Sequence, residues 1–223
     1  MTFSLVARCQ DTGQFGVAIA SSSPAVAARC AYAQAHVGAV ASQNVTDPRL
    51  GPQALRLLAN GATAAEAAAI LTRTAPFADY RQVLIVDVHG GAACHSGQNA
   101  LGLWAEAHGT NVAAGGNMLA DAAIPQAMVE TFIASEGALA DRLLSAMQAG
   151  LALGGEAGPI HSAGLKIVAE QDWPYVDLRC DWADDPLAQL AAAWRVYQPQ
   201  AAAYVTRALD PRAAPKYGVP GDE

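Results

Sequence analysis

The sequence predicts an α+β protein: two antiparallel sheets stacked face to face, with helices covering both outer faces. Three observations predict it. Strands come in antiparallel runs joined by turns of hairpin length. Helices come in pairs between those runs, without the strict strand–helix alternation of a doubly wound parallel sheet. Several strands are built from small apolar residues throughout, as strands buried on both faces are. The 223 residues suffice for one sizeable core. We expect a single domain over residues 1–209 and a loose tail over 210–223.

The elements follow in chain order. Thr2–Cys9 alternates loosely, Asp11-Thr12-Gly13-Gln14 turns, and Phe15–Ala20 returns, which makes an opening hairpin with Thr2 at its free end. Ser21-Ser22-Ser23-Pro24 breaks the second strand. Val37–Gln43 reads as a third strand and Asn44–Pro52 as a polar loop. Helices are expected over Gln53–Asn60, stopped by Gly61, and over Thr63–Thr72, opened by a Thr63/Glu66 capping box. Val83–Val88 is a strongly apolar strand that turns through His89-Gly90-Gly91 into Ala92–Ser96. Short strands are expected near Gly102–Ala107 and Asn111–Gly115. Asp121–Ala134 and Ala138–Leu151 read as a second helical pair, followed by a glycine-rich loop over Gly154–Pro159. Leu165–Ala169 and Tyr175–Asp181 form a last hairpin, whose Asp177, Arg179 and Asp181 share one face. Asp185-Pro186 starts a terminal helix that runs to about Ala208, before breakers at Pro211, Pro215, Gly218 and Pro220.

Composition excludes several functions. At 52% hydrophobic and 15% charged, the chain has ample apolar surface to offset its conformational entropy, so disorder is excluded. Apolar runs end well before bilayer length, which argues against a membrane span. A net charge of −7 with no basic run argues against a nucleic-acid surface. Met1-Thr2-Phe3-Ser4 lacks a basic start, and Arg8 and Asp11 interrupt the first apolar stretch, so we expect a cytoplasmic protein without a signal peptide. Cys9, Cys30, Cys94 and Cys180 form no CxxC pair, and the five histidines form no HExxH or HxH pattern. No metal or cofactor is therefore expected.

Thr2 is the leading candidate for chemistry. Removal of Met1, usual before a small second residue, leaves a free α-amine beside a secondary hydroxyl. Such an amine has an unperturbed pKa of about 7.7–8.0, so one residue supplies both nucleophile and base. Antiparallel pairing brings Ser21, Ser22 and Ser23 beside it, as partners for the amine or a substrate. Gln43 and Asn44 end the third strand and offer amide donors for a substrate carbonyl or oxyanion. Asn117 follows Gly115-Gly116, where the backbone admits close approach. Each of these also has an ordinary reading as a strand end, helix cap or loop former.

The stretches MTFSLVARCQDTGQFGVAIASSSPAVAARC, VGAVASQNVTDPRLGPQAL, GGNMLA and VDLRCDWADDPLAQL together resemble the bacterial family called domain of unknown function 1028, over nearly the whole chain to about Ala208. That family is placed in the N-terminal nucleophile (Ntn) hydrolase superfamily. The resemblance implies a four-layer αββα sandwich, with Thr2 where the superfamily keeps its nucleophile and Ser21–Ser23, Gln43 and Asn117 near the same strand edge. Many members tune the nucleophile with a nearby lysine or arginine. The first hundred residues hold no lysine, and Arg29 is the nearest substitute. The implied activity is hydrolysis of a small-molecule amide, with Thr2 and Asn117 catalytic and Ser21, Ser22, Ser23, Arg29, Gln43 and Asn44 binding substrate. The alternatives are a non-catalytic small-ligand-binding protein on the same fold, a structural homo-oligomer of two or more copies, and a cysteine hydrolase using Cys30 or Cys94.

Overall fold

Along the first strand Phe3, Leu5 and Ala7 alternate with Thr2, Ser4 and Val6, so the strand offers one face of large apolar groups and one of small or polar ones. The computed structural model, which describes residues 1–221, uses both faces. The first half of the chain runs β1 (Thr2–Arg8), β2 (Phe15–Ser21), α1 (Ala27–Cys30), β3 (Ala31–Gln34), β4 (Gly38–Asn44), α2 (Leu50–Ala59), α3 (Ala64–Thr74), β5 (Arg81–Asp87) and β6 (Ala92–Ser96). The second half runs β7 (Ala105–Gly109), β8 (Val112–Asn117), α4 (Ile124–Ala134), α5 (Leu139–Ala152), β9 (Ser162–Val168), β10 (Pro174–Cys180) and α6 (Pro186–Leu209).

The strands form a six-stranded sheet of order β10-β9-β2-β1-β8-β7 and a four-stranded sheet of order β3-β4-β5-β6. All their pairings are antiparallel. Three apolar clusters hold the elements together. Phe3, Leu5 and Ala7 pack with Ile124, Met128 and Phe132 of α4, Leu143 and Met147 of α5, and Leu190 and Trp194 of α6. Val6, Val17 and Ile19 face Ala41, Leu84 and Val86 across the space between the sheets. Val40, Val83 and Ile85 pack on Leu50, Leu55, Leu58 and Leu71 from α2 and α3. Among the described residues no helix is long and apolar enough to cross a membrane.

Several boundaries differ from the sequence reading, each for a physical reason. α1 and β3 were not expected, because four residues are too few to display either period. α2 starts at Leu50 rather than Gln53, since Pro52 falls in the first turn, where its missing N–H costs no hydrogen bond. Gly115-Gly116-Asn117 lies inside β8, which runs two residues further than expected, and a short connection separates it from α4. β7 begins only at Ala105, because Gly102 turns the chain with φ +63°. The Thr63/Glu66 capping box opens α3 as read. On β10 the charged face divides: Asp177 pairs with Lys166 of β9 at 3.1 Å, and Arg179 with Asp181 at 3.6 Å. Beyond α6, Arg207 donates to the Pro215 carbonyl at 2.8 Å and lies 3.7 Å from the Tyr217 ring centroid, which folds this stretch back on the helix end. Residues 222–223 of the expected tail lie outside the described residues.

One buried carboxylate locks the smaller sheet to its helices. Asp87, 3% exposed, accepts from the backbone N–H of Ala64 at 2.8 Å and from those of His89 and Gly91 at 2.9 Å. It thus fixes the β5–β6 turn and the start of α3 together. Hydrogen bonds to a charged group contribute about 1.5–3 kcal/mol each when one partner is removed. Asp87→Ala is expected to lower unfolding stability by about 3 kcal/mol, read as a fall in the urea midpoint at unchanged m-value.

Candidate active site

The site is built at one end of the space between the sheets. Thr2 is the Cα partner of Asn117 on β8, and the β1–β2 register, with Phe3 opposite Ala20, sets Ser21 beside it. Val6, Val17, Ile19 and Ala113 face the inter-sheet core. Counting in twos along each strand places Thr2, Ser21 and Asn117 on that same face. Thr2 is 6% exposed. Its Oγ1 lies 3.2 Å from Ser21 Oγ, and both hydroxyls donate to the Met1 carbonyl oxygen. Ser21 Oγ is 2.8 Å from Ser23 Oγ, which in turn accepts from Arg29 Nη2 at 2.7 Å. Arg29 also donates to the Pro24 and Ala25 carbonyls, at 2.7 and 3.1 Å, and so fixes the turn that carries the serines.

Behind these hydroxyls a polar network, buried except at Ser96, joins the sheets. Ser4 Oγ donates to Gln43 Oε1 at 2.6 Å. Gln43 Nε2 donates to Gln82 Oε1 at 2.7 Å and to the Gly115 carbonyl at 3.1 Å. Asn117 Nδ2 donates to the same Gln82 Oε1 at 3.3 Å, and Gln82 Nε2 donates to the Gly116 carbonyl at 3.1 Å and to Ser96 Oγ at 2.8 Å. Gln43 therefore has its donors and its acceptor engaged within the chain, whereas Asn117 Oδ1 is buried without a protein partner. Asn44 is turned away from Thr2. Its side chain donates to the Tyr80 carbonyl at 2.7 Å and accepts from the Leu101 N–H at 3.2 Å, fastening two loops.

Sequence reasoning missed Gln82 and Glu156. Gln82 immediately precedes the apolar run Val83–Val86, and Glu156 is the sole carboxylate between Asp141 and Glu170. Those placements were the available signals. Gly154 and Gly155 adopt φ +102° and +59°, a conformation that lets the glycine-rich loop turn back. The loop then pairs Glu156 with Leu119 and meets β2 through the His161 N–H to the Ser21 carbonyl at 2.8 Å. Glu156, 3% exposed, receives the Ser22 N–H on its two oxygens at 3.0 and 3.2 Å. Burial pushes its carboxyl up to about 7, against the opposing pull of the positive chain N-terminus and, after it, of the Ser22 hydrogen bonds. A groove of about 520 Å³ opens over this loop, lined by Leu151, Glu156, Gly158, Ile160, Asp184 and Asp185. A larger groove, about 710 Å³, lies at the other end of β1 beside Arg8, Asn111 and Arg142, remote from Thr2.

The cysteine alternative fares less well. Burial raises the Cys30 thiol, 3.6 Å from Thr46 Oγ1, and raises the Cys94 thiol further, so neither is poised as a thiolate. His95 bonds the Ala78 carbonyl at 3.0 Å and Ser96 donates to Glu106 at 2.6 Å, so these neighbours do not form a triad.

A family model described as "Family of unknown function (DUF1028)" matches residues 2–190. The chain belongs to the DUF1028 family. Among solved structures, this DUF1028 chain is similar to the crystal structure of the DUF1028 protein SPO2555 from Silicibacter pomeroyi, with TM-score 0.82 and 28% identity over 88% of this chain and 89% of that one. Anbu (ancestral beta-subunit) from Yersinia bercovieri aligns with TM-score 0.40 and 12% identity over 91% and 97% of the two chains. No curated protein matches.

The raised Glu156 pKa has a consequence for stability. The folded protein holds this proton more tightly than the unfolded chain, whose glutamate titrates near 4.5. Between those values the native state binds more protons, so its stability falls as pH rises. The contribution is fully present below about 4.5 and lost as pH passes about 7. Denaturant melts of the Met1-bearing chain from pH 4.5 to 8 are expected to show this decline, and Glu156→Gln to flatten it.

Proposed function

We propose that this DUF1028 protein is a small-molecule amidohydrolase of the N-terminal nucleophile type, active once the chain starts at Thr2. The observation that carries the reading is the Thr2 hydroxyl: buried at the head of a central strand, on its inter-sheet face and 3.2 Å from Ser21 Oγ. The succession of helices, large sheet, small sheet and helices supports an αββα sandwich of the Ntn type. A rigid strand between two others holds a nucleophile in one geometry.

The chemistry needs only this residue and donors around it. Thr2 Oγ attacks the amide carbon, its proton passes to the free Thr2 amine, and the carbonyl π pair moves onto oxygen. Collapse restores the carbonyl, breaks the C–N bond and returns the proton from the ammonium to the leaving nitrogen. Water, deprotonated by the same amine, then releases the acid from the Thr2 ester. Each well-placed oxyanion donor contributes about 3 kcal/mol to such a barrier.

The second reading is a ligand-binding protein without turnover. With Met1 in place, the Thr2 and Ser21 hydroxyls are both directed at its carbonyl, and Thr2 has no free amine. Intact-mass measurement of the N-terminus in native cells separates the two. Across a panel of small amides, ureido acids and lactams, amine release by the Thr2-initiated protein is expected to fall at least about a thousandfold in Thr2→Ala. Wild-type turnover by a folded Thr2→Ala protein would sink the hydrolase reading.

A further inference from the structure

We propose that Ser21 is the oxyanion donor of this site and that Arg29 strengthens it through Ser23. The inference rests on the N-terminal nucleophile reading and assigns a task that Thr2 cannot perform for itself.

Counting protons fixes the direction of the chain of hydroxyls. A guanidinium only donates, and a carbonyl oxygen only accepts. Arg29 Nη2 therefore donates to Ser23 Oγ at 2.7 Å. At the other end, Ser21 spends its one hydroxyl proton on the Met1 carbonyl oxygen, as Thr2 does. The 2.8 Å contact between Ser23 and Ser21 must then carry the Ser23 proton toward Ser21 Oγ. Ser21 Oγ also accepts from the Ser23 backbone N–H at 3.1 Å. Every bond thus points from the cation toward the Met1 carbonyl. Each acceptance makes the next hydroxyl a better donor, and here a charge heads a half-buried chain that ends at the buried Ser21. Ser21 is fully buried, and no described carboxylate is ion-paired to Arg29.

The Met1 carbonyl marks the position such a donor serves. An acyl group on the Thr2 nitrogen and one on Thr2 Oγ are related through a five-membered ring, so their carbonyl oxygens occupy neighbouring space. When Met1 is gone, the Ser21 O–H faces the oxygen of an acyl group attacked by Thr2. The amides expected for this task are wholly or partly engaged. Gln43 has both donors and its acceptor committed within the chain, and one of the two Asn117 Nδ2 hydrogens goes to Gln82.

The test uses Thr2-initiated protein, verified by intact mass, and p-nitrophenyl acetate as the probe. Thr2 Oγ bonds to the acetyl carbon, its proton goes to the Thr2 amine, and the ester C–O bond breaks to release p-nitrophenolate. Expected are acetylation at Thr2 and a fall of about a hundredfold or more in the saturating acylation rate of Ser21→Ala, with little change in KM. Ser23→Ala and Arg29→Ala are each expected to lose about tenfold. Their double variant is expected to lose no more than either alone, because both cut one relay. Arg29→Lys, which keeps a donor cation, is expected to recover part of the loss. Thermal melts of each variant separate this from failure to fold, and Ser23→Ala leaves the Arg29 contacts to the Pro24 and Ala25 carbonyls in place. Undiminished acylation of Ser21→Ala overturns the proposal, and independent, multiplying losses for Ser23 and Arg29 overturn the relay. A parent protein that is never acylated at Thr2 overturns the nucleophile reading and this inference with it.

Discussion

The pairing of β1 between β2 and β8 is the constraint on which the rest depends. Its register leaves no freedom in what surrounds Thr2: Asn117 stands on one side and Ser21 on the other. A slip of one residue would turn Thr2 and Ser4 toward the helices and drive Phe3 and Leu5 between the sheets. The apolar packing of Phe3, Leu5 and Ala7 on α4 and α5 opposes that slip. Burial of Phe3 and Leu5 contributes about 1.5–3 kcal/mol each. The arrangement of the hydroxyls is therefore secured by hydrophobic packing on the opposite face of the same strand.

The inter-sheet network adds a second level of order. Gln43 and Gln82 sit where the sheets would otherwise meet through apolar side chains alone, and burying their amides unpaired would cost roughly 1–3 kcal/mol per group. Their mutual bond and their bonds to the Gly115 and Gly116 carbonyls offset that cost. Apolar contacts tolerate sliding, whereas this set of bonds admits one relative placement of β4, β5 and β8. Glycine at 115 leaves room on the inter-sheet face, where a Cβ would lie 2.9 Å from Leu84 Cδ2, and glycine at 116 leaves room on the helix-facing side, where one would lie 2.5 Å from Leu119 Cδ2. Gln43, expected to meet substrate, instead bonds within this network.

The fold was legible wherever a period ran long enough to read. The opening hairpin, the capping box at Thr63 and the paired helices all follow from local chemistry. α1 and β3 escaped because four residues cannot display a period, and they matter, since α1 is what carries Arg29 to Ser23. At the site, Thr2 and the Ser21–Ser23 turn were legible because hairpin register makes them neighbours. Glu156 was not. It reaches the Ser22 N–H from 134 residues away, through a loop that two left-handed glycines turn back and a bridge to Leu119. No local pattern encodes that contact, although an isolated carboxylate in a glycine-rich loop was its trace.

On the proposed reading, loss of Met1 changes two things in one event. It frees the Thr2 amine to act as base, and it removes the carbonyl on which the Ser21 and Thr2 hydroxyls are spent. Both consequences fall on atoms that the strand register and the Arg29 turn already hold in place, so activation requires little rearrangement of the backbone. Preorganised donors of this kind act in the transition state without a reorganisation cost at the moment of reaction. Glu156 fits the same logic. A buried carboxyl that accepts the Ser22 N–H supports the same turn that Arg29 holds through the Pro24 carbonyl. Ser21 thus sits in a turn held by hydrogen bonds to a carboxyl and from a guanidinium, and its hydroxyl is oriented within the chain before any substrate arrives.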